Sequence, residues 1–307
     1  MGPLAVSLAA FELPDRLLNV SMWRLLASAV CRRASRCGGK IPIADSKKLF
    51  SRQKADALEH LERGVLGILS ACGQTPRSVR QLLTAIAPSA EKSVAQYPWY
   101  GNEDSSLPRC VDQTDVTLAG NSLRAAMTAA GISLVGIRSE LVLAGEFNRL
   151  VAATNNKSTA LFDVTSRLLA WLWQRSGAGR LRIYVDRQGG RSHYLAALLR
   201  VFQGCQFKVV EENDRLSAYR IADNDKVGEI CFFTEGEARQ LPVALASMVS
   251  KYLRELFMEM LNRFWARCMP GLKPTAGYYT DGRRFYEEIK PVFRRLGLDE
   301  RMFYRSR

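Results

Sequence analysis

A mixed α/β sheet flanked by helices is the fold this 307-residue chain predicts. Short apolar segments of strand length, such as Leu181-Arg-Ile-Tyr-Val-Asp186, alternate with longer segments of helical period. Two Asn-Asp pairs, at 213–214 and 224–225, separate three such strands into a meander. A helical pattern over 242–266 is the longest periodic stretch.

Taken in order, residues 5–13 read as a strand ended by Pro14. Pro14-Asp15 then opens a helix through about residue 33, with Leu17, Leu18, Met22, Leu25 and Leu26 on one face. Residues 36–40 form a basic, glycine-containing loop, and Ser51 caps a helix to about residue 70 with Leu58, Leu61, Val65, Leu66 and Leu69 as its stripe. Pro98, Gly101 and Pro108 mark a long loop over 96–113, and the stretch from about 75 to 130 reads as a helical and loop insertion. Residues 118–130 are helical and 132–138 alternate as a strand. A helix over 157–174 turns Leu161, Val164, Leu168, Leu169 and Leu172 inward and stops before Gly177 and Gly179.

After the strand ending at Asp186 come the loop Arg187-Gln-Gly-Gly-Arg191, a helix through 202, and the meander strands 207–211, 217–221 and 229–233. Pro242 suits the first turn of the long helix, which carries Ala244, Ser247 and Lys251 on one stripe. Residues from 268 onward make a C-terminal helical part, and the whole chain reads as one elaborated domain.

Composition narrows the function. The apolar runs fall short of the ~20 residues that cross a bilayer, and residues 1–11 lack the basic start and cleavage site of a signal peptide. Seven irregularly spaced cysteines and two histidines argue against a zinc site or a disulfide framework, which points to a reducing cytoplasm. A net charge of +14 favours a polyanionic partner. Basic residues gather at Arg32, Arg33, Arg36 and Lys40, at Lys47 and Lys48, and from Arg283 to Arg307. Phe285, Tyr286, Phe293, Phe303 and Tyr304 interleave with the last group, at a spacing more usual for core than for base stacking.

Two acids stand out. Asp186 closes one apolar strand, and Glu237 closes another, Ile230-Cys-Phe-Phe-Thr-Glu-Gly-Glu237. Each is either a solvated acid at a strand end or, if the strands are neighbours, half of a carboxylate pair facing a divalent cation.

Larger motifs favour the second reading. The run Gly236-Glu-Ala-Arg-Gln-Leu-Pro-Val-Ala-Leu-Ala-Ser-Met-Val-Ser-Lys251-Tyr-Leu-Arg-Glu255 resembles the Gly-Asp…Ala-Ala-Ser-Ile-Leu-Ala-Lys-Val-x-Arg-Asp block of prokaryotic type 2 ribonuclease H (ribonuclease HII). Asp45-Ser46-Lys47-Lys48-Leu49 resembles that family's Asp-Ser-Lys-Lys-Leu, and Tyr184-Val185-Asp186 its strand bearing the third catalytic carboxylate. Glu146-Phe147-Asn148, Gly277-Tyr278-Tyr279-Thr280 and Tyr304-Arg305-Ser306 resemble further landmarks in the same order. Residues 75–130 match none of them.

The resemblance implies a ribonuclease H-like sheet and metal-dependent cleavage of RNA in RNA–DNA hybrids, or at a ribonucleotide in duplex DNA. It implies catalytic and metal-ligating roles for Asp186 and Glu237, with Mg²⁺ or Mn²⁺ as cofactor. Asp45, Ser46, Lys47, Lys48, Arg187, Arg191, Lys251 and Tyr278 are the implied nucleic-acid contacts, Tyr278 by packing on the sugar where a 2′-hydroxyl is read. A monomer acting without a membrane is expected.

There are departures. Glu237 and Glu255 stand where the family has Asp. Gly2-Pro3-Leu4 resembles the start of the family's second strand, so the first strand, with its Asp-Glu pair, has no counterpart in this sequence. That strand lies mid-sheet in the family, and without it two interior edges would be unpaired. The expectation is therefore little nuclease activity in the chain as written and a natural protein that begins upstream. The alternatives are a catalytically inactive nucleic-acid-binding relative, or an interaction scaffold built on the 75–130 insertion.

Overall fold

Side chains alternate along the first strand, β1 (Leu4–Glu12), and the alternation decides where the two cores lie. Ala5, Ala9 and Phe11 pack into one cluster, whereas Leu8 and Ala10 pack into another on the opposite face, the period of two that a pleated strand imposes. The computed structural model describes every residue except 53–55, 102–103, 178 and 306–307.

The continuous helix expected over 15–33 does not form. In its place come a 3-10 turn (Asp15–Leu17), a one-turn helix α1 (Met22–Leu25) and a two-residue strand β2 (Val30–Cys31). Asn19 and Ser21 favour turns over helix interior, and tertiary bonds draw the rest of the segment out. The Trp23 indole donates to the Ile43 carbonyl at 2.9 Å, and β2 pairs in parallel with β3 (Ile41–Pro42). Cys31 and Cys37, six residues apart, form a disulfide in this region. It is a local link, which the irregular cysteine spacing did not announce.

Helix α2 (Ser46–Leu49) is capped by Asp45, whose carboxylate accepts from the Lys47 amide at 2.9 Å. The next helix, α3 (Glu59–Ala71), begins later than the expected Ser51 start, and residues 53–55 of that expectation lie outside the described ones. The insertion is largely helical: α4 (Val79–Ile86), α5 (Glu91–Val94), α6 (Pro98–Gly101) and α7 (Gln113–Ala130), which ends on a left-handed Gly131 at φ 65°. Helices α3 and α7 touch closely at Gly120. A Cβ there would lie 2.6 Å from Ser70 Oγ, so glycine is what permits the approach. Arg124 of α7 donates to the carbonyls of Ser70 and Ala71, satisfying the C-terminal end of α3.

Strand β4 (Ser133–Val142) runs antiparallel to β1, from Leu4 opposite Val142 to Glu12 opposite Ser133. Then come α8 (Ala144–Thr154) and α9 (Lys157–Arg175), the latter capped by Asn156. Beyond lie β5 (Gly179–Asp186), α10 (Leu195–Val201) and the meander β6 (Gln206–Glu212), β7 (Leu216–Asp223) and β8 (Lys226–Phe233). The chain closes with α11 (Gly236–Arg239), α12 (Leu241–Cys268) and α13 (Tyr279–Arg295). The expected mixed α/β architecture is present, and among the described residues no helix is long and apolar enough to cross a membrane.

β5 pairs in parallel with β8, giving a sheet ordered β5-β8-β7-β6. β1 and β4 form a separate sheet. Among the described residues, β1 and β5 therefore each pair along one edge. Both also line a single cleft of about 1010 Å³, walled by leucines of α9 and small residues of α12. The C-terminal aromatics are core, as their spacing suggested: Phe293 stacks on Trp265 at 5.8 Å, and Phe303 meets Trp99 edge-on at 5.4 Å.

One buried charge fastens the insertion to α12. Glu62 is fully buried, yet it accepts from the amides of Arg109, Cys110 and Val111 and from the Tyr252 hydroxyl at 2.6 Å. A buried carboxylate is tolerable only when its lone pairs are met in this way. Glu62→Ala would leave three amides and a hydroxyl without their acceptor, and should cost on the order of 3 kcal/mol in urea unfolding at constant m-value. Tyr252→Phe should cost about 1 kcal/mol. Equal stability of Glu62→Ala and the parent would show that the carboxylate does not hold this junction.

Candidate carboxylate site and its cationic rim

Along β5 the odd residues Leu181, Ile183 and Val185 pack toward α9 and α10, which leaves Asp186 on the face turned to α11 and α12. Its carboxylate accepts from the Gly236 amide at 2.9 Å. A Cβ on Gly236 would sit 3.3 Å from that same oxygen, so the backbone comes close because the residue is glycine. The turn that delivers the amide passes through Glu235 at φ 59°, a left-handed conformation uncommon outside glycine.

Glu237 is not at a strand end: β8 stops at Phe233, and Glu237 lies in the first turn of α11. The Asp45 carboxyl lies within hydrogen-bond reach of it. Burial first, then the Asp45 hydrogen bond and the charges of Asp45 and Asp186, push Glu237 up to about 7 against the opposing pull of the Ser247 hydroxyl. Burial likewise raises Asp186, and Asp45 adds to the rise, while the Gly236 amide and Lys47 oppose it. Ser247 also bonds Ser46 at 2.9 Å, which ties α12 to α2 beneath the acids.

Asp186, Glu237 and Asp45 thus act on one another. Sequence reasoning placed Asp45 among the nucleic-acid contacts, and its closeness to Glu237 was not legible because the two are far apart in the chain. Among the described residues no group of three or more His, Cys, Asp or Glu side chains is arranged as a ready cage for a metal ion. Asp186 and Glu237 offer hard oxygen donors, and Mg²⁺ commonly needs only one or two carboxylates, filling its shell with water and phosphate oxygens.

A cationic rim lies further along α12. Glu255, whose side chain is only 7% exposed, pairs with Arg52 at 2.8 Å, Lys251 at 2.8 Å and Arg254 at 2.6 Å. Burial pushes its carboxyl up, but the three cations outweigh that and hold it below the usual range. Three cations around one carboxylate leave the cluster net positive. Tyr278, 60% exposed, stands between two of them, with the guanidinium of Arg52 at 5.4 Å and that of Arg254 at 5.1 Å from its ring. Lys251 and Arg52 also flank Phe50, at 4.3 and 5.8 Å. Lys251 and Tyr278 are therefore together, joined by Arg52, Arg254 and Phe50, which the sequence reading did not single out. The Lys251–Glu255 spacing of one helical turn was the available signal for the ion pair.

The remaining candidates divide. Lys47 and Lys48 are exposed on α2, whereas Ser46 is buried against Ser247. Arg187 is engaged inside the fold, with its guanidinium donating to the Asn213 and Asp214 carbonyls and to Ser217. Arg191 lies over the rings of Phe162 and Tyr194. Both arginines of the 187–191 loop thus have partners within the fold. Glu146 pairs with Arg167, and Asn148 binds the Arg301 and Tyr304 carbonyls, so that landmark anchors the chain's end. Ser306 lies outside the described residues. No protein-family model, curated protein or solved structure matches the chain.

The raised Glu237 predicts a pH dependence. A carboxyl whose folded pKa exceeds its unfolded value binds its proton more tightly in the fold. The contribution is therefore present below the unfolded value near 4.5 and is lost as pH rises through about 7. Parent stability should fall by on the order of 1–2 kcal/mol across that window after solvent screening, and Glu237→Gln should flatten the fall. Millimolar Mg²⁺ or Mn²⁺ should restore stability at pH 8 in the parent and not in Asp186→Asn. Melting curves across pH check both, and a Glu237→Gln profile identical to the parent's would sink the assignment.

Proposed function

We propose that this chain is a divalent-metal nuclease of the type 2 ribonuclease H kind, with a ribonuclease H-like sheet. Its substrate would be the RNA strand of an RNA–DNA hybrid, or a ribonucleotide in duplex DNA. The reading rests chiefly on one juxtaposition, in which interacting carboxylates sit at the N-terminal end of α12 and a net positive, aromatic-bearing rim lies further along the same helix. Cleavage of a phosphodiester needs carboxylates for a cation and cationic groups for the flanking phosphates, and here both lie alongside α12.

Asp186 and Glu237 would hold Mg²⁺ or Mn²⁺, which supplies charge neutralisation on the phosphate and an activated water. Asp45 lies beside Glu237 and adds a third carboxyl to the site. Lys47 and Lys48 on α2, with Arg52 and Arg254 on the rim, position phosphates without reading sequence. The exposed face of Tyr278 offers a surface for a sugar, where a 2′-hydroxyl separates RNA from DNA. Binding without cleavage is the second reading. The observation that favours it is the break between β1 and β5 beside Asp186, which leaves the frame around the acids open on one side.

Asp186→Asn should abolish Mn²⁺-dependent cleavage of a hybrid while leaving hybrid binding within about twofold of the parent. If the parent binds and does not cleave, the second reading stands. If Asp186→Asn cleaves as fast as the parent, the site assignment fails. Replacing Lys47 and Lys48 together with alanine should weaken binding to hybrid and to duplex DNA alike, and should reduce the slope of log affinity against log salt by about two.

A further inference from the structure

We propose that the cleft between β1 and β5 is a strand-acceptor site, which takes an extended segment of a partner polypeptide as an added strand and so joins the two sheets. The backbone makes the first case. β1 is hydrogen-bonded to β4 and β5 to β8, and among the described residues neither has a partner along its other edge. Successive backbone groups of a strand point alternately to its two sides, so a row of donors and acceptors on each strand faces the cleft. Unpaired rows of this kind are templates for another strand.

Size follows. An added strand that pairs with the open edges of both β1 and β5 would join the two sheets into one. A strand sandwiched between two layers occupies about 160 Å³ per residue, from a ~3.3 Å rise, a ~4.8 Å strand spacing and a ~10 Å layer spacing. The cleft of about 1010 Å³ therefore takes about six residues.

The walls state the chemistry. Leu161, Leu168, Leu169 and Leu172 of α9 close one side, and Ala246, Ser247 and Ser250 of α12 close the other. The occupant must set aliphatic side chains toward α9 and small ones toward α12, in strict alternation. The β6 edge of a second copy is a poor fit, because its Lys208, Glu211 and Glu212 place charge on both faces, and a charge against the α9 leucines would be buried without a partner. The end of a segment running parallel to β5 would reach Asp186, so occupation of the cleft would also close the frame around the carboxylates.

The test is amide hydrogen exchange on the full chain with a synthetic peptide of six alternating valine and alanine residues, flanked by lysines for solubility. Exchange in residues 5–12 and 181–186 should slow at least tenfold as peptide is added, with β6 and β7 unchanged. A control peptide with proline at every second position keeps the composition apolar but removes donors, and it should have no effect. Ala246→Trp, which fills the cleft from the α12 side, should lose the response while α3 and α7 keep their protection. No slowing by the alternating peptide, or equal slowing by the proline peptide, would overturn the proposal. Slowing that depends on protein concentration without peptide would assign the cleft to a second copy instead.

Discussion

Helix α12 is buried over most of its circumference, from Leu241 through Trp265, and a helix in that position can carry polar side chains only where partners meet them. Several of its polar residues therefore mark junctions. Ser247 meets Ser46 beneath the carboxylates, Ser250 meets Ser7 of β1, Tyr252 meets Glu62 of α3, and Glu255 gathers Arg52, Lys251 and Arg254. Further along, Trp265 enters the aromatic cluster with Trp99, Phe293 and Phe303. The candidate site is one end of this series and the C-terminal core is the other. Ser247, which meets the acids, and Lys251, Arg254 and Glu255 of the rim all lie on α12, so that helix fixes how far apart those side chains stand.

The charge distribution follows from the same geometry. A chain of net charge +14 has little to gain from clustering acids, yet Asp45, Asp186 and Glu237 act on one another. What offsets the repulsion is local: the Gly236 amide on Asp186, the Ser247 hydroxyl on Glu237 and the Lys47 charge nearby. The rim shows the inverse, with cations sharing a single buried carboxylate. Each cluster leaves charge of one sign uncompensated, and such residual charge is what a cation or a phosphate can satisfy.

Much of the architecture was legible because periodicity reports burial directly. β1, the meander, α9 and α12 each show one period over their full length, and their observed limits lie within a few residues of those the pattern sets. The segment over 15–33 has a helical stripe too, but Trp23 and Val30 are claimed by Ile43 and Ile41 across the chain, and a stripe cannot reveal competing tertiary bonds. The same limit applies at the site. Asp186 was legible from a strand that ends on it, whereas Glu237 moved from strand end to helix turn because Glu235 adopts a left-handed conformation that no propensity favours. Asp45 and Arg52 joined their clusters from distant segments, and Arg187 was drawn inward by carbonyls of a turn it does not adjoin in sequence.

The pairing of β1 with β4 sets the order in which such a chain can assemble. Leu4 meets Val142 and Glu12 meets Ser133, so the hairpin-like register must be found across the whole intervening stretch. Closure entropy grows only slowly with loop length, but it must be spent before the distant contacts return anything. Helices α3 and α7 pack on each other through Gly120 and Arg124 within that stretch, drawing its two halves together and shortening the effective loop that β1 and β4 must close. With α3 and α7 packed on each other, fewer residues remain in the loop that β1 and β4 must close when they pair.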